Sequence, residues 1–228
     1  MKRQWIVWGI AMMLCGVVLT GDSVQAQLQR VEPMRVLLRS WGASGERALY
    51  IYDVTTATLD PITPLYEDRI VCVSVSPDNT RVVYKTAGRA SSDRLFLLNL
   101  IDGDVREIEV RDYVSCAEWS PDSERLLYAG QQGGTFNIFS IRVNAGIADL
   151  DSVQRLTNFM EGSMSPAIAP DGDHIAFVSW DSLSSMVSRM SSFNTVNYAQ
   201  IFVMTADNNA IRQLTDAPIN HSNPVWRP

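Results

Sequence analysis

The chain has 228 residues, 46% of them hydrophobic and only 19% charged, with a formal charge of −6. That is enough apolar material for a substantial core, and no basic run is present that could hold nucleic acid, which needs clustered Lys and Arg. Two histidines, His174 and His221, and no close Cys/His spacing leave a zinc site without ligands, and no cofactor is expected.

The first 26 residues stand apart from the fold. Met1-Lys2-Arg3 is a short basic start, Trp5 to Leu19 is apolar, and Val24-Gln25-Ala26 ends in small residues. This pattern reads as a secretory signal peptide cut before Gln27, leaving residues 27–228 as one domain outside the cytoplasm. The alternative is an uncleaved anchor, although the apolar run is about 15 residues against the roughly 20 of a spanning helix. Cys15 follows Leu14, not a small residue, so it is not read as a lipid-attachment site.

From Pro33 on, the chain repeats. Prolines at 33, 77, 121, 170 and 228 are spaced 44, 44, 49 and 58 residues apart, the length of a four-stranded propeller blade. Around them the sequence reads Ser76-Pro77-Asp78-Asn79, Ser120-Pro121-Asp122-Ser123 and Ala169-Pro170-Asp171-Gly172, each between hydrophobic runs. Proline presets a turn φ, Asp hydrogen-bonds its own backbone, and Gly allows positive φ, so each is a hairpin turn.

Four strands are predicted per repeat. Strand A spans Ile70–Val75, Val114–Trp119, Met164–Ile168 and Asn223–Trp226; strand B spans Arg35–Leu38, Arg81–Tyr84, Arg125–Tyr128 and His174–Val178. Strand C spans Ala48–Tyr52, Leu95–Leu98, Asn137–Ile141 and Gln200–Met204, and the more polar strand D spans Pro61–Leu65, Val105–Glu109, Gln154–Thr157 and Ile211–Thr215. The first repeat lacks strand A and the last segment supplies only strand A. The expectation is an all-β fold, a β-propeller of four four-stranded blades, about 33–66 plus 222–228, 67–110, 111–158 and 159–216. Its ring is closed by the C-terminal strand joining the N-terminal blade; the alternative is an open arc that pairs with another chain.

Cys72 and Cys116 each lie five residues before the proline of their own repeat. Equivalent positions in adjacent repeats face the same way, at a separation expected to exceed disulfide reach, so two buried thiols are favoured over a bridge.

Trp119-Ser120-Pro121-Asp122, Pro170-Asp171-Gly172, Ile175-Ala176-Phe177, Ile201-Phe202, Arg155-Leu156-Thr157 and Leu214-Thr215 together resemble the blade pattern of TolB-like β-propellers, across nearly all of residues 33–228. The resemblance implies an extracytoplasmic propeller that binds other envelope proteins, or a propeller of the kind attached to serine peptidases. There is no Gly-x-Ser-x-Gly elbow, so a peptidase centre is not expected, and neither the α/β domain nor the six blades of TolB are matched.

Antiparallel strands put the A–B turns and C–D loops at one end of each blade and the B–C and D–A loops at the other. The short, uniform A–B turns read as scaffold. At the other end, the fourth B–C loop runs from about Trp180 to Tyr198, with Met186, Met190 and Phe193 among serines, a long insertion of the kind that carries binding. Trp41, Tyr66, Tyr113, Phe159, Met160 and His221 belong to the same end. The leading expectation is a non-enzymatic, exported propeller that binds an envelope or secreted protein there, with no nucleic acid and no stable membrane span after cleavage. A glycan-binding or glycan-cleaving propeller using acids such as Glu67, Asp112 and Glu161 is the alternative, and self-association a third.

Overall fold

The computed structural model describes residues 35–41, 47–63, 69–87, 93–110, 113–144, 146–180, 198–207 and 210–227. The chain falls into two compact units, Met1–Arg69 and Ile70–Pro228.

In the first unit, β1 (Arg35–Trp41), β2 (Arg47–Asp53) and β3 (Thr58–Pro61) form a three-stranded antiparallel sheet in sequence order. The turn before β3 was expected to be a longer loop. Instead Asp53 Oδ1 accepts from Thr55 N and Thr56 N at 2.9 and 3.1 Å, and Ala57 takes a positive φ of 54°. This side-chain turn reverses the chain at once, so the D strand precedes the expected Pro61–Leu65. Beyond it, Thr63 Oγ1 accepts a hydrogen bond from Leu49 N at 3.0 Å and extends the ladder without a strand.

The second unit holds three four-stranded antiparallel sheets. The first is β4 (Arg69–Val75), β5 (Arg81–Ala87), β6 (Arg94–Asn99) and β7 (Val105–Ile108). The second is β8 (Glu118–Trp119), β9 (Arg125–Gln132), β10 (Thr135–Asn144) and β11 (Ile147–Arg155). The third is β12 (Ser163–Ile168), β13 (His174–Ser179), β14 (Gln200–Thr205) and β15 (Ile211–Gln213). The β10–β11 hairpin turns tightly through Gly146 at φ 78°, so the third D strand begins well before the expected Gln154.

One cross-strand pair recurs in each of these sheets. Tyr84 stacks on Phe96, Tyr128 on Phe139 and Phe177 on Phe202, with centroids 5.2, 5.7 and 5.6 Å apart, each pair directly opposite on the second and third strands. Because side chains alternate along a strand, the other face of each sheet is aliphatic. Val83, Leu95 and Leu97 pack against Tyr128 and Phe139 in one core. Leu127, Ala129 and Ile138 pack against Phe177 and Phe202 in the next. Burial in the first core pushes the Tyr128 hydroxyl up to about 12.

The sheets are also joined by an indole. Trp119 Nε1 donates to Ser74 O at 3.2 Å, across 45 residues, and Trp226 Nε1 donates to Ala167 O at 2.8 Å. Each Trp lies two residues before a repeat proline, and each acceptor three residues before the preceding one. Trp226 thus holds Trp119's place on the sheet before it, but the strand expected at Asn223–Trp226 is not formed. Residues 214–227 carry no strand, and Asn223 turns at φ 50°.

Cys72 and Cys116 are joined in a disulfide with their Cα atoms 5.9 Å apart, which corrects the expectation of two separate thiols. The separation assumed between neighbouring repeats was too wide for a bridge, but Cys72 on β4 and Cys116, just before β8, lie on the first-strand side of adjacent sheets and come within reach of each other. Peptide mapping without reductant should recover the Cys72 and Cys116 peptides linked. Replacing both cysteines by Ser should lower stability by up to about 4 kcal/mol in chemical denaturation, the scale for closing a loop of this length.

Candidate interaction face

At the B–C and D–A end, the structure brings some of the expected residues to the surface and withdraws others. Tyr113 is 60% exposed, its backbone held by the bond from Gln131 N to its carbonyl and by the Val114–Gly130 bridge beside it. Met160 is 70% exposed, between two anchors. On one side Phe159 is buried edge-on against Phe177 and Phe202, so its side chain is core and not contact surface, a correction to its expected role. On the other, Gly162 runs so close to Phe136 that an added Cβ would lie 3.3 Å from its carbonyl oxygen, and Gly162 O accepts from Ser179 Oγ at 2.7 Å. These constraints present Met160 and Glu161 from a fixed backbone.

His221 lies at the same end of the last sheet. Its backbone N donates to Ala199 O at 2.8 Å, and Gln200 Nε2 reaches Ala217 O at 2.9 Å, so the segment is laced to the start of β14. The His221 Nε2 atom is buried without a hydrogen-bond partner among the described residues. Tyr66, Met186, Met190 and Phe193, with most of the Trp180–Tyr198 loop, and Glu67 and Asp112 lie outside the described residues, as does the Trp41 side chain. Among the described residues no group of three or more His, Cys, Asp or Glu could hold a metal, and no helix is long and apolar enough to cross a membrane.

The opposite end is built from the A–B turns. Asn79, Ser123 and Gly172 occupy the same turn position with φ of 58, 62 and 80°, the left-handed conformation that the glycine reading of the repeat required. Ser76 Oγ accepts from Arg81 N at 2.9 Å and donates to Asp78 Oδ1 at 2.5 Å, and Ser120 repeats this with Arg125 and Asp122. Burial works against ionising Asp78, but the bonds from Ser76, Thr80 N and Arg81 outweigh it and hold the carboxyl well below the usual range. The same balance lowers Asp122, without an arginine hydrogen bond. In the fourth repeat Ala169 removes the hydroxyl, while the backbone bond from Ala169 N to His174 O remains at 2.8 Å. The sequence suggested that this end was only scaffold, yet it carries two clefts between sheets. One, of about 470 Å³, includes Arg81, Ile101 and Glu124; the other, of about 810 Å³, includes Arg125, Ile168 and His174.

Antiparallel four-stranded sheets of blade length, stacked face to face and cross-linked by repeated turns, define a β-propeller architecture. In fold the chain is similar to the propellers of TolB proteins. No protein-family model matches it. It is 24% identical over 102 residues to the Tol-Pal system protein TolB of Francisella tularensis subsp. tularensis, over 45% of this chain and 20% of that protein. TolB from Acinetobacter baumannii superposes with TM-score 0.58 at 18% identity, over 82% of this chain and 42% of that one. A putative TolB from Agrobacterium tumefaciens gives 0.58 at 20%, over 78% and 60%. The chain therefore spans only part of the length of these relatives. The tricorn protease and an oligogalacturonate lyase carry similar folds, so the fold alone assigns no chemistry.

Asp78 gives this end a pH dependence of definite sign. A carboxyl held below its ordinary value of 3.8 contributes stability that is present above that pH and is lost as pH falls through the folded value. Asp78→Asn should be less stable than the parent at pH 7, and the gap should begin to narrow only below about pH 3.8, closing as pH falls toward the lower folded value, when thermal unfolding is followed against pH.

Proposed function

We propose that the protein is an exported, non-enzymatic propeller that binds another protein of the cell envelope through its B–C and D–A end. The observation that carries this reading is the exposure of Tyr113 and Met160 on backbone that hydrogen bonds and core packing hold in place. Rigid presentation of aromatic and thioether side chains is what a contact surface needs. The similarity to TolB, a protein of the Tol-Pal system, supports a partner in the envelope. The Cys72–Cys116 bridge supports an oxidising compartment, in keeping with removal of residues 1–26 as a signal peptide. Of the acids on which glycan cleavage would rest, only Glu161 lies among the described residues.

The test compares envelope proteins retained by the intact protein, by Tyr113→Ala with Met160→Ala, and by a form whose Asp181–Asn197 segment is replaced by a short Gly-Ser link. A protein held by the first and lost from either variant, with melting temperatures unchanged, is the expected result. A folded parent that retains nothing, or variants that retain the same partner equally, would remove this reading.

The same proposal includes a single domain over 27–228 and four blades whose ring is closed by residues 223–226 adding to the first sheet. Its support is that Trp226 repeats the Trp119 contact two sheets further on. A closed ring leaves no open sheet face for its own copies and only short, protected outer edges, so sedimentation of the mature protein should give a monomer at every concentration; association rising with concentration would instead indicate an open array.

A further inference from the structure

The junctions between successive sheets place the same repeat positions against each other, so a junction whose residues depart is legible against its neighbours. Between the first and second sheets of the larger unit, the Arg81 guanidinium lies over Trp119, 5.0 Å from the ring centroid. Arg81 Nη2 donates to Ser123 O at 2.9 Å and pairs with Asp78 at 2.8 Å, while Ser123 Oγ accepts from Asp78 N at 3.0 Å. One repeat later the equivalent positions are Arg125, Ile168, Gly172 and Asp122. The indole has become an aliphatic side chain and the hydroxymethyl group a hydrogen. The exposed Arg125 guanidinium has no hydrogen bond or ion pair among the described residues, and acts on Asp122 only through space. The larger cleft lies at this junction. At the following junction an indole is present again, with Trp226 bonded to Ala167 O and its ring centroid 6.4 Å from that of His174, the equivalent of Arg81.

We infer that this cleft is a second binding site, for an aromatic side chain flanked by basic residues in a segment of a partner protein. The aromatic ring takes the place that Trp119 fills one repeat earlier. It lies against the Arg125 guanidinium, which attracts the face of an indole, above the apolar floor of Leu127 and Ile175. The flanking charges follow from the rim, where Asp122, Asp171, Asp173 and Asp207 outnumber Arg125; an acidic ligand meets like charge there, whereas Lys or Arg beside the ring meets carboxylates. The site lies at the A–B end and does not depend on the binding proposed for the opposite end.

Calorimetric titration of the full chain with acetyl-Lys-Trp-Lys-amide tests this, with Lys-Ala-Lys and Asp-Trp-Asp peptides for comparison. The first should bind, and the other two should be weaker by about tenfold or more, a difference of about 1.4 kcal/mol. Arg125→Ala should weaken the first by about tenfold, and Ile168→Trp with Gly172→Ser, which restores the residues of the preceding junction, should abolish it. Serine fits the backbone there, since Ser123 holds φ 62° at the equivalent position and a Cβ on Gly172 would meet only Pro121, at 3.9 Å. Should the filled variant not fold, Arg125→Ala, at an exposed position, carries the test alone. No binding to the parent protein, equal binding of Lys-Ala-Lys, or full binding by folded Arg125→Ala would overturn the inference.

Discussion

The indole N–H of Trp119 sets how the first two sheets of the larger unit stand against each other. The Ser74 carbonyl on β4 is partly buried and needs a donor, since leaving a buried acceptor unpaired costs on the order of 1–3 kcal/mol. Trp119 supplies that donor to Ser74 from 45 residues away, and its ring fills the space around the bond. The result is directional as well as apolar: hydrophobic packing alone would let two sheets slide, but a donor and an acceptor at fixed places in the repeat define one offset. The turn hydrogen bonds and the Arg81 contact with Ser123 reinforce that offset from the rim, and the Cys72–Cys116 bridge holds it on the first-strand side.

The repeat made most of this fold legible before any coordinates. Prolines at nearly constant spacing placed the turns, Asn79 and Ser123 stood where Gly172 does, and all three adopt positive φ as that equivalence requires. The hydrophobic runs after each turn placed the second strands, and Val82–Tyr84, Leu126–Tyr128 and Ile175–Val178 are all buried. What escaped the reading depends on distances between sheets or on side-chain turns. The disulfide was discounted on an assumed separation between repeats, although Cys72 and Cys116 come within reach of each other. The Asp53–Thr56 turn carries no glycine or proline, and the signal in Asp53, an Asx-type turn residue, went unread.

The functional end was less legible for a different reason. Sequence placed Phe159 and Met160 together as loop residues, but adjacent side chains on an extended segment point opposite ways, so one anchors the core and the other meets solvent. The signal for the cleft was also present and unread. Two residues before the repeat prolines stand Val75, Trp119, Ile168 and Trp226, and the departure at Ile168 matters only once the neighbouring junction shows what the indole does. A repeat invites attention to what is shared; binding specificity resides in the position where one copy differs.

Every interior junction of the larger unit joins an aromatic face to an aliphatic one. Such a stack has a head and a tail. Two like faces meeting would bring together ring against ring, or branched chain against branched chain, without the fit that interdigitates the present cores. A copy of the repeat can therefore be gained or lost at any junction and leave the remaining contacts chemically matched, because each unit carries both halves of the rule. The heterologous arrangement also biases the exposed faces of a partial stack toward joining head to tail, the geometry that produces rings when the rotation closes and filaments when it does not.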